Sequence, residues 1–192
     1  MELILSFVFG IAVSWLFWRY LLFLAPKLHV CEQVVRAPSR KHPGKELLKF
    51  KVYNRTNRQA IDLFAGCTVA ELVNIPGGTR SRVLERLNIV SASFDALGPR
   101  GNLGDHFGLS PVKVFTAQVS EDFDQHMAGR TAKLVFTFKA TDALSGSTTV
   151  IRQSFSRDDV QRGEFKHGLT CDIVSEPETN QKANKAIDGD EE

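Results

Sequence analysis

Leu3 to Leu24 is an apolar run of about 22 residues, broken only by Arg19 and Tyr20. A helix rises about 1.5 Å per residue, so this run can just cross a hydrocarbon core about 30 Å thick. Leu3, Ile4, Leu5, Phe7, Val8, Phe9, Ile11, Val13, Leu16 and Phe17 surround the helix on every side. A helix that is apolar all round needs lipid or a very large core, and a chain of 192 residues does not supply the second. Trp15, Trp18 and Tyr20 gather near one end, as an interfacial aromatic belt does, and Arg19 lies where it can snorkel to headgroups. A cleaved signal peptide fits less well. The segment before the run is only Met1-Glu2, without a basic side chain, and bulky residues occupy the cleavage zone. Residues 1–26 are therefore expected to form a transmembrane anchor.

Charge sets the expected orientation. Nine basic residues follow the run between Lys27 and Arg58, namely Lys27, Arg36, Arg40, Lys41, Lys45, Lys49, Lys51, Arg55 and Arg58, opposed only by Glu32 and Glu46. Positive flanks stay inside, so the expectation is a single-pass cell-membrane protein with a cytoplasmic C-terminal domain. One sequon, Asn54-Arg55-Thr56, speaks the other way, because it is a glycan acceptor only in a lumen. Cys31, Cys67 and Cys171 are odd in number and widely spaced, which argues against a disulfide framework and fits a reducing compartment. Cys67 and Cys171 stand at apolar strand positions and read as core.

Residues 27–174 read as one domain of short strands. Leu28 to Val35 is a first strand, and Ala37 to Gly44 a loop. Leu47 to Asn54 alternates cleanly, with Leu48, Phe50 and Val52 on one face and Lys49 and Lys51 on the other. Ile61 to Val73 is the longest strand. Asn74-Ile75-Pro76-Gly77-Gly78 is a turn, and Arg80 to Val90 the next strand. Ala92 to Pro111 reads as a long glycine-rich loop. Val112 to Val119 returns to strand. Ser120-Glu121-Asp122 opens a short helix with Phe123 and Met127 on its inner face. Lys133 to Thr141 and Thr148 to Phe155 pair across a turn, Ser156 to Asp159 is a capping sequence, and Leu169 to Val174 is a last strand. From Ser175 to Glu192 the chain is polar and charged, with an acidic end, and disorder is expected. Many short strands, without alternating helices, indicate a mainly β sandwich or barrel.

Several local patterns carry a resemblance. An aromatic-rich helix end runs into Leu24-Ala25-Pro26-Lys27. Gly44 to Arg55 has the form G-x-x-x-L-x-F-x-V-x-N-x-R, Ile61-Asp62-Leu63 starts a long strand, and Thr149 to Phe165 ends in S-x-x-x-x-D-[IV]-x-x-G-x-x-F. Together these resemble the cytoplasmic domain of inwardly rectifying potassium channels. The resemblance implies an immunoglobulin-like (E-set) β-sandwich directly after a membrane helix, oligomeric and responsive to ligand or lipid. A pore helix and a T-V-G-Y-G-like filter are absent from the chain, so it is not by itself such a channel.

Candidate sites follow from charge and spacing. Lys27, Arg36, Arg40, Lys41 and Lys45 form a basic juxtamembrane cluster suited to anionic headgroups, at about 1 kcal/mol per cation near the surface; plain positive-inside topology also accounts for it. The resemblance places Lys27 where family members hold phosphoinositides. The glycine-rich loop carries Asp105 and His106 but lacks a phosphate-cradling fingerprint. His29 and Cys31 share a strand face, yet no second pair at ligand spacing supports a metal, and no cofactor is expected. No nucleophile elbow or paired motif indicates an enzyme, and no aromatic ladder accompanies the cations to suggest nucleic acid. The expected function is a non-enzymatic lipid- or ligand-sensing module that self-associates. The alternatives are a pore-forming effector triggered by oligomerisation and a scaffold for a protein partner.

Overall fold

Alternation at Leu48, Phe50 and Val52 becomes the central strand of one sheet, and alternation at Leu134, Phe136 and Phe138 the central region of another. The computed structural model describes residues 2–23, 25–39, 44–90, 92–104 and 109–174. It begins with α1 (Glu2–Phe23), then β1 (Leu28–Val30), β2 (Val34–Pro38), β3 (Glu46–Asn54), β4 (Ala60–Ile75), β5 (Gly78–Leu87) and β6 (Ser93–Leu97). A 3-10 turn over Arg100–Gly104 leads to β7 (Val112–Gln118), α2 (Phe123–Met127), β8 (Ala132–Asp142) and β9 (Thr148–Phe155). A second 3-10 turn, Arg157–Asp159, precedes β10 (Val160–Arg162), β11 (Glu164–Phe165) and β12 (Ile173–Val174).

The protein is mainly β. In the first sheet β3 pairs along one side with β7 and along the other with β1 and β2 in tandem, and β10 runs parallel to β2. In the second sheet β4 pairs with β8 on one side and with β5 and β6 on the other, and β9 closes the edge beyond β8. The sheets face each other across one core. Phe50 of β3 stacks on Phe136 of β8, with ring centroids 4.5 Å apart and planes at 6°. Phe115 of β7 meets Phe138 at 5.3 Å. Such aromatic pairs add about 0.5–1.5 kcal/mol beyond the area they bury.

The short helix and the capping sequence form as the sequence indicates. Phe123 and Met127 of α2 are buried, and Ser156 and Asp159 complete a capping box, the Asp159 carboxylate accepting from the Ser156 backbone and hydroxyl. Other expectations are corrected. The strand expected from Leu28 to Val35 breaks into β1 and β2 at Cys31–Gln33. The loop expected from Ala92 to Pro111 contains β6, which pairs with the start of β4. The strand expected from Leu169 shrinks to Ile173–Val174. The 175–192 tail, Arg40, Lys41, Asp105 and His106 lie outside the described residues.

The cysteine reading is overturned more sharply. Cys31 and Cys171 form a disulfide with Cα atoms 5.4 Å apart, across a sequence separation of 140. Cys171 is therefore half of a crosslink rather than a core thiol. Cys67 is a buried free cysteine, as expected, and burial pushes its thiol up to about 12, which keeps it protonated and inert.

Of the helix, Ile4, Phe7, Val8, Phe9, Ile11, Val13, Trp15, Leu16, Phe17, Trp18 and Tyr20 are all exposed. Counted over the described residues, no helix is long and apolar enough to cross a membrane. The whole of α1 nevertheless runs 22 residues, about 33 Å of helix.

Candidate functional site

Where α1 feeds into the β domain, four connections come together. β1 pairs with the far end of β3, Leu28 opposite Asn54, and the Arg55 amide donates to the Lys27 carbonyl at 2.8 Å. The Thr149 hydroxyl at the start of β9 donates to the Pro26 carbonyl at 3.2 Å. The Arg100 amide donates to Thr56 O and the Ala143 amide to Gln59 O. The linker and the 54–59, 98–102 and 142–147 turns therefore share one end of the molecule.

Asn54 builds this end. It is fully buried. Its Nδ2 donates to the carbonyls of Arg58 at 2.6 Å and Gly98 at 3.0 Å, and its Oδ1 accepts from the Thr56 amide and hydroxyl. The asparagine holds two loops together and has no amide hydrogen left for a glycan, so the sequon is a structural turn. Nearby, Arg58 donates to Asp142 at 2.8 Å.

Around this frame, Tyr53, Asn54, Arg55, Arg100 and Leu169 line an open cleft of about 340 Å³. Arg55 and Arg100 are exposed. The Arg55 guanidinium lies 5.6 Å from the Tyr53 ring centroid and donates to the Tyr53 hydroxyl at 3.3 Å. His29 packs against the same ring, with centroids 4.7 Å apart and planes tilted by 49°. Burial, followed by the Arg55 charge, lowers the His29 pKa, with Glu32 opposing, so His29 is neutral at pH 7. Among the described residues no carboxylate lies within ion-pair distance of Arg55 or Arg100. Two guanidinium groups with free donors at one open cleft suit a phosphate or carboxylate oxygen set.

The fold separates the sequence-derived basic cluster. Lys27 stays at this end and is exposed. Arg36 sits in β2 opposite Leu48, six residues up β3 from Asn54, which is about 20 Å of strand. There it is paired: its Nε donates to Glu46 at 2.6 Å, and its terminal nitrogens to Asp124 at 2.6 and 2.9 Å. The hydrogen bond from Arg36 holds the Asp124 carboxyl below the ordinary range. Lys45 precedes β3 at the same far end. The chain leaves the helix along β1 and β2 and carries these cations away with it. Trp15, Trp18, Arg19 and Tyr20 share the last turns of α1, with Arg19 5.4 Å from the Trp15 ring centroid. Arg55 was visible only as one cation among nine, and Arg100 stood in a stretch read as loop. The Asn54 hydrogen bond to Gly98 and the Arg100 amide donating to the Thr56 carbonyl bring the two together. No protein-family model matches the chain, and no curated protein matches it.

Proposed function

We propose that this is a single-pass membrane protein whose β domain, an immunoglobulin-like (E-set) sandwich similar to the regulatory domain of inwardly rectifying potassium channels, binds anionic phosphate-bearing groups at the end next to its helix. The observation that carries the reading is the convergence of Arg55 and Arg100, without carboxylate partners among the described residues, on the end of the domain where the linker enters. The 22-residue length of α1 and its exposed apolar side chains on all sides support the anchor. The basic flank supports a cytoplasmic domain. Ser6, Gly10 and Ser14 recur every fourth residue along the helix, a spacing that lets membrane helices approach closely and supports self-association.

The test uses full-length protein in neutral detergent, titrated calorimetrically with inorganic phosphate in one arm and short-chain phosphatidylglycerol in the other. Replacing both Arg55 and Arg100 by Ala weakens binding by at least tenfold, because each cation contributes about 1 kcal/mol. Replacing Arg36 and Lys45 leaves it unchanged. Phosphate alone binding identifies a soluble anion, and lipid alone a headgroup. Equal affinity of the Arg55/Arg100 variant and the parent rejects the site.

A protein-scaffold role is favoured by one further feature. The outer part of the β4–β5 hairpin carries exposed Leu72, Ile75 and Val83, an apolar arm suited to a partner surface.

A further inference from the structure

Residues 163–172 lie as a strap across the outer face of the first sheet. Its strand β11 pairs only with β12, which directly follows the strap, and neither has a ladder bond to either five-stranded sheet. Gly163 turns the chain into it with φ +144, and a Cβ there would run into the Val174 carbonyl. The strap covers Lys51, a residue only 1% exposed although it belongs to the outward row of β3. The Lys51 ammonium donates to the Lys166 carbonyl at 2.5 Å and lies 5.8 Å from the Phe165 ring centroid. Burial, partly offset by Asp172, lowers its pKa. Besides these contacts the strap is held by Lys49–Glu164 at 3.3 Å and by the Cys31–Cys171 bond. Two residues before Cys171, Leu169 forms a wall of the Arg55/Arg100 cleft. Cys171 itself opens onto a second surface cleft, about 360 Å³, lined with His29, Glu32, Gln33 and Asp172.

Among the contacts between described residues, the strap reaches β3 through one ion pair and one lysine hydrogen bond and has no ladder to either five-stranded sheet, so the crosslink is its covalent tie to the domain. A disulfide that closes a long loop restricts such a segment most. In a reducing compartment disulfides are transient and redox-sensing rather than structural.

We propose that Cys31–Cys171 is a redox fastener: its reduction releases the 163–172 strap, uncovers Lys51 and removes the Leu169 wall from the anion cleft. The bond takes two electrons and two protons from a dithiol, which closes to its own disulfide and leaves two free thiols. The coupling to the cleft rests on the anion-binding reading above, whereas the release of the strap does not.

The experiment compares oxidised, reduced and reoxidised full-length protein in neutral detergent. Lysines are acetylated briefly at fixed pH and quantified by peptide mass spectrometry, with exposed Lys139 as the internal reference. Reduction is expected to raise Lys51 acetylation about tenfold relative to Lys139 while the near-ultraviolet circular dichroism persists, and reoxidation is expected to restore protection. A Cys31→Ser/Cys171→Ser variant repeats the reduced pattern. No rise at Lys51, or a rise that comes with loss of the near-ultraviolet signal, overturns the fastener. In the same samples inorganic phosphate binds several-fold more weakly after reduction. Unchanged phosphate affinity overturns the coupling, and phosphate binding to neither form rejects the cleft while the acetylation result still decides the strap. Alkylation trapping in the expressing cells is expected to show free Cys31 and Cys171 at rest and the disulfide after oxidant. Complete disulfide at rest overturns the switch and puts the domain in an oxidising compartment.

Discussion

The Asp142 carboxylate sits in the β8–β9 turn with its side chain fully buried, beside a mostly buried Arg58. It accepts from Arg58 Nε at 2.8 Å and from the amides of Leu144 and Ser145 at 3.0 and 2.8 Å. Burial pushes its pKa up, but the Arg58 hydrogen bond and the two amides outweigh it and hold the group below 3.8. Its folded pKa is depressed, so its stabilisation is fully present above the unfolded value and is lost as pH falls through the lower folded value. Urea unfolding of the parent is expected to show this loss only below about pH 4. Asp142→Ala lowers stability by about 2 kcal/mol at pH 7 and flattens that acid limb; an unchanged midpoint at pH 7 contradicts this account. Single residues were where the sequence was least legible. Asp142 looked like an ordinary turn aspartate, and Asn54 matched a glycan signal. Cys31 and Cys171 are 140 residues apart, a spacing that carries no sign of pairing. In all three the partner lies across the fold rather than along the chain.

Local alternation made the elements far more legible. β3 and β8 stand where apolar residues recur at every second position, because each strand has one face on the aromatic core. α2 and the Ser156 capping box were readable because their determinants lie within a few residues. β6 was missed because Ser93–Leu97 is too short to show a period, and it becomes a strand only by pairing with Ala60–Phe64. β4 and β5 pair out to Ile75 and Gly78, yet most side chains of the outer part are exposed. That half of the hairpin rests on its own ladder, whereas β8 is buried between β4 and β9. Native-state hydrogen exchange is expected to leave amides of 134–140 the slowest and those of 73–80 the fastest among paired strands. Comparable protection of the two segments requires something covering the arm in solution, such as a second copy.

At the scale of the whole molecule, α1 exposes apolar side chains on all sides while the β domain buries its own core. Light scattering in neutral detergent is expected to give an oligomer for the full chain and a monomer once residues 1–26 are removed, if helices alone associate. An oligomer that survives the deletion assigns assembly to the β domain, as the channel-domain resemblance implies. A monomer in both forms removes self-association from the proposal. The oxidised chain also has a particular connectivity. Residues 31–171 form a covalent ring holding all of β2 to β11, with α1 and β1 on one tail and β12 on the other. One protease cut inside the ring leaves every piece joined, so it adds only one water to the mass and leaves the attachment to the helix intact. Only a cut on the short stretch before Cys31 parts the domain from α1, and a non-reducing gel distinguishes the two events at once.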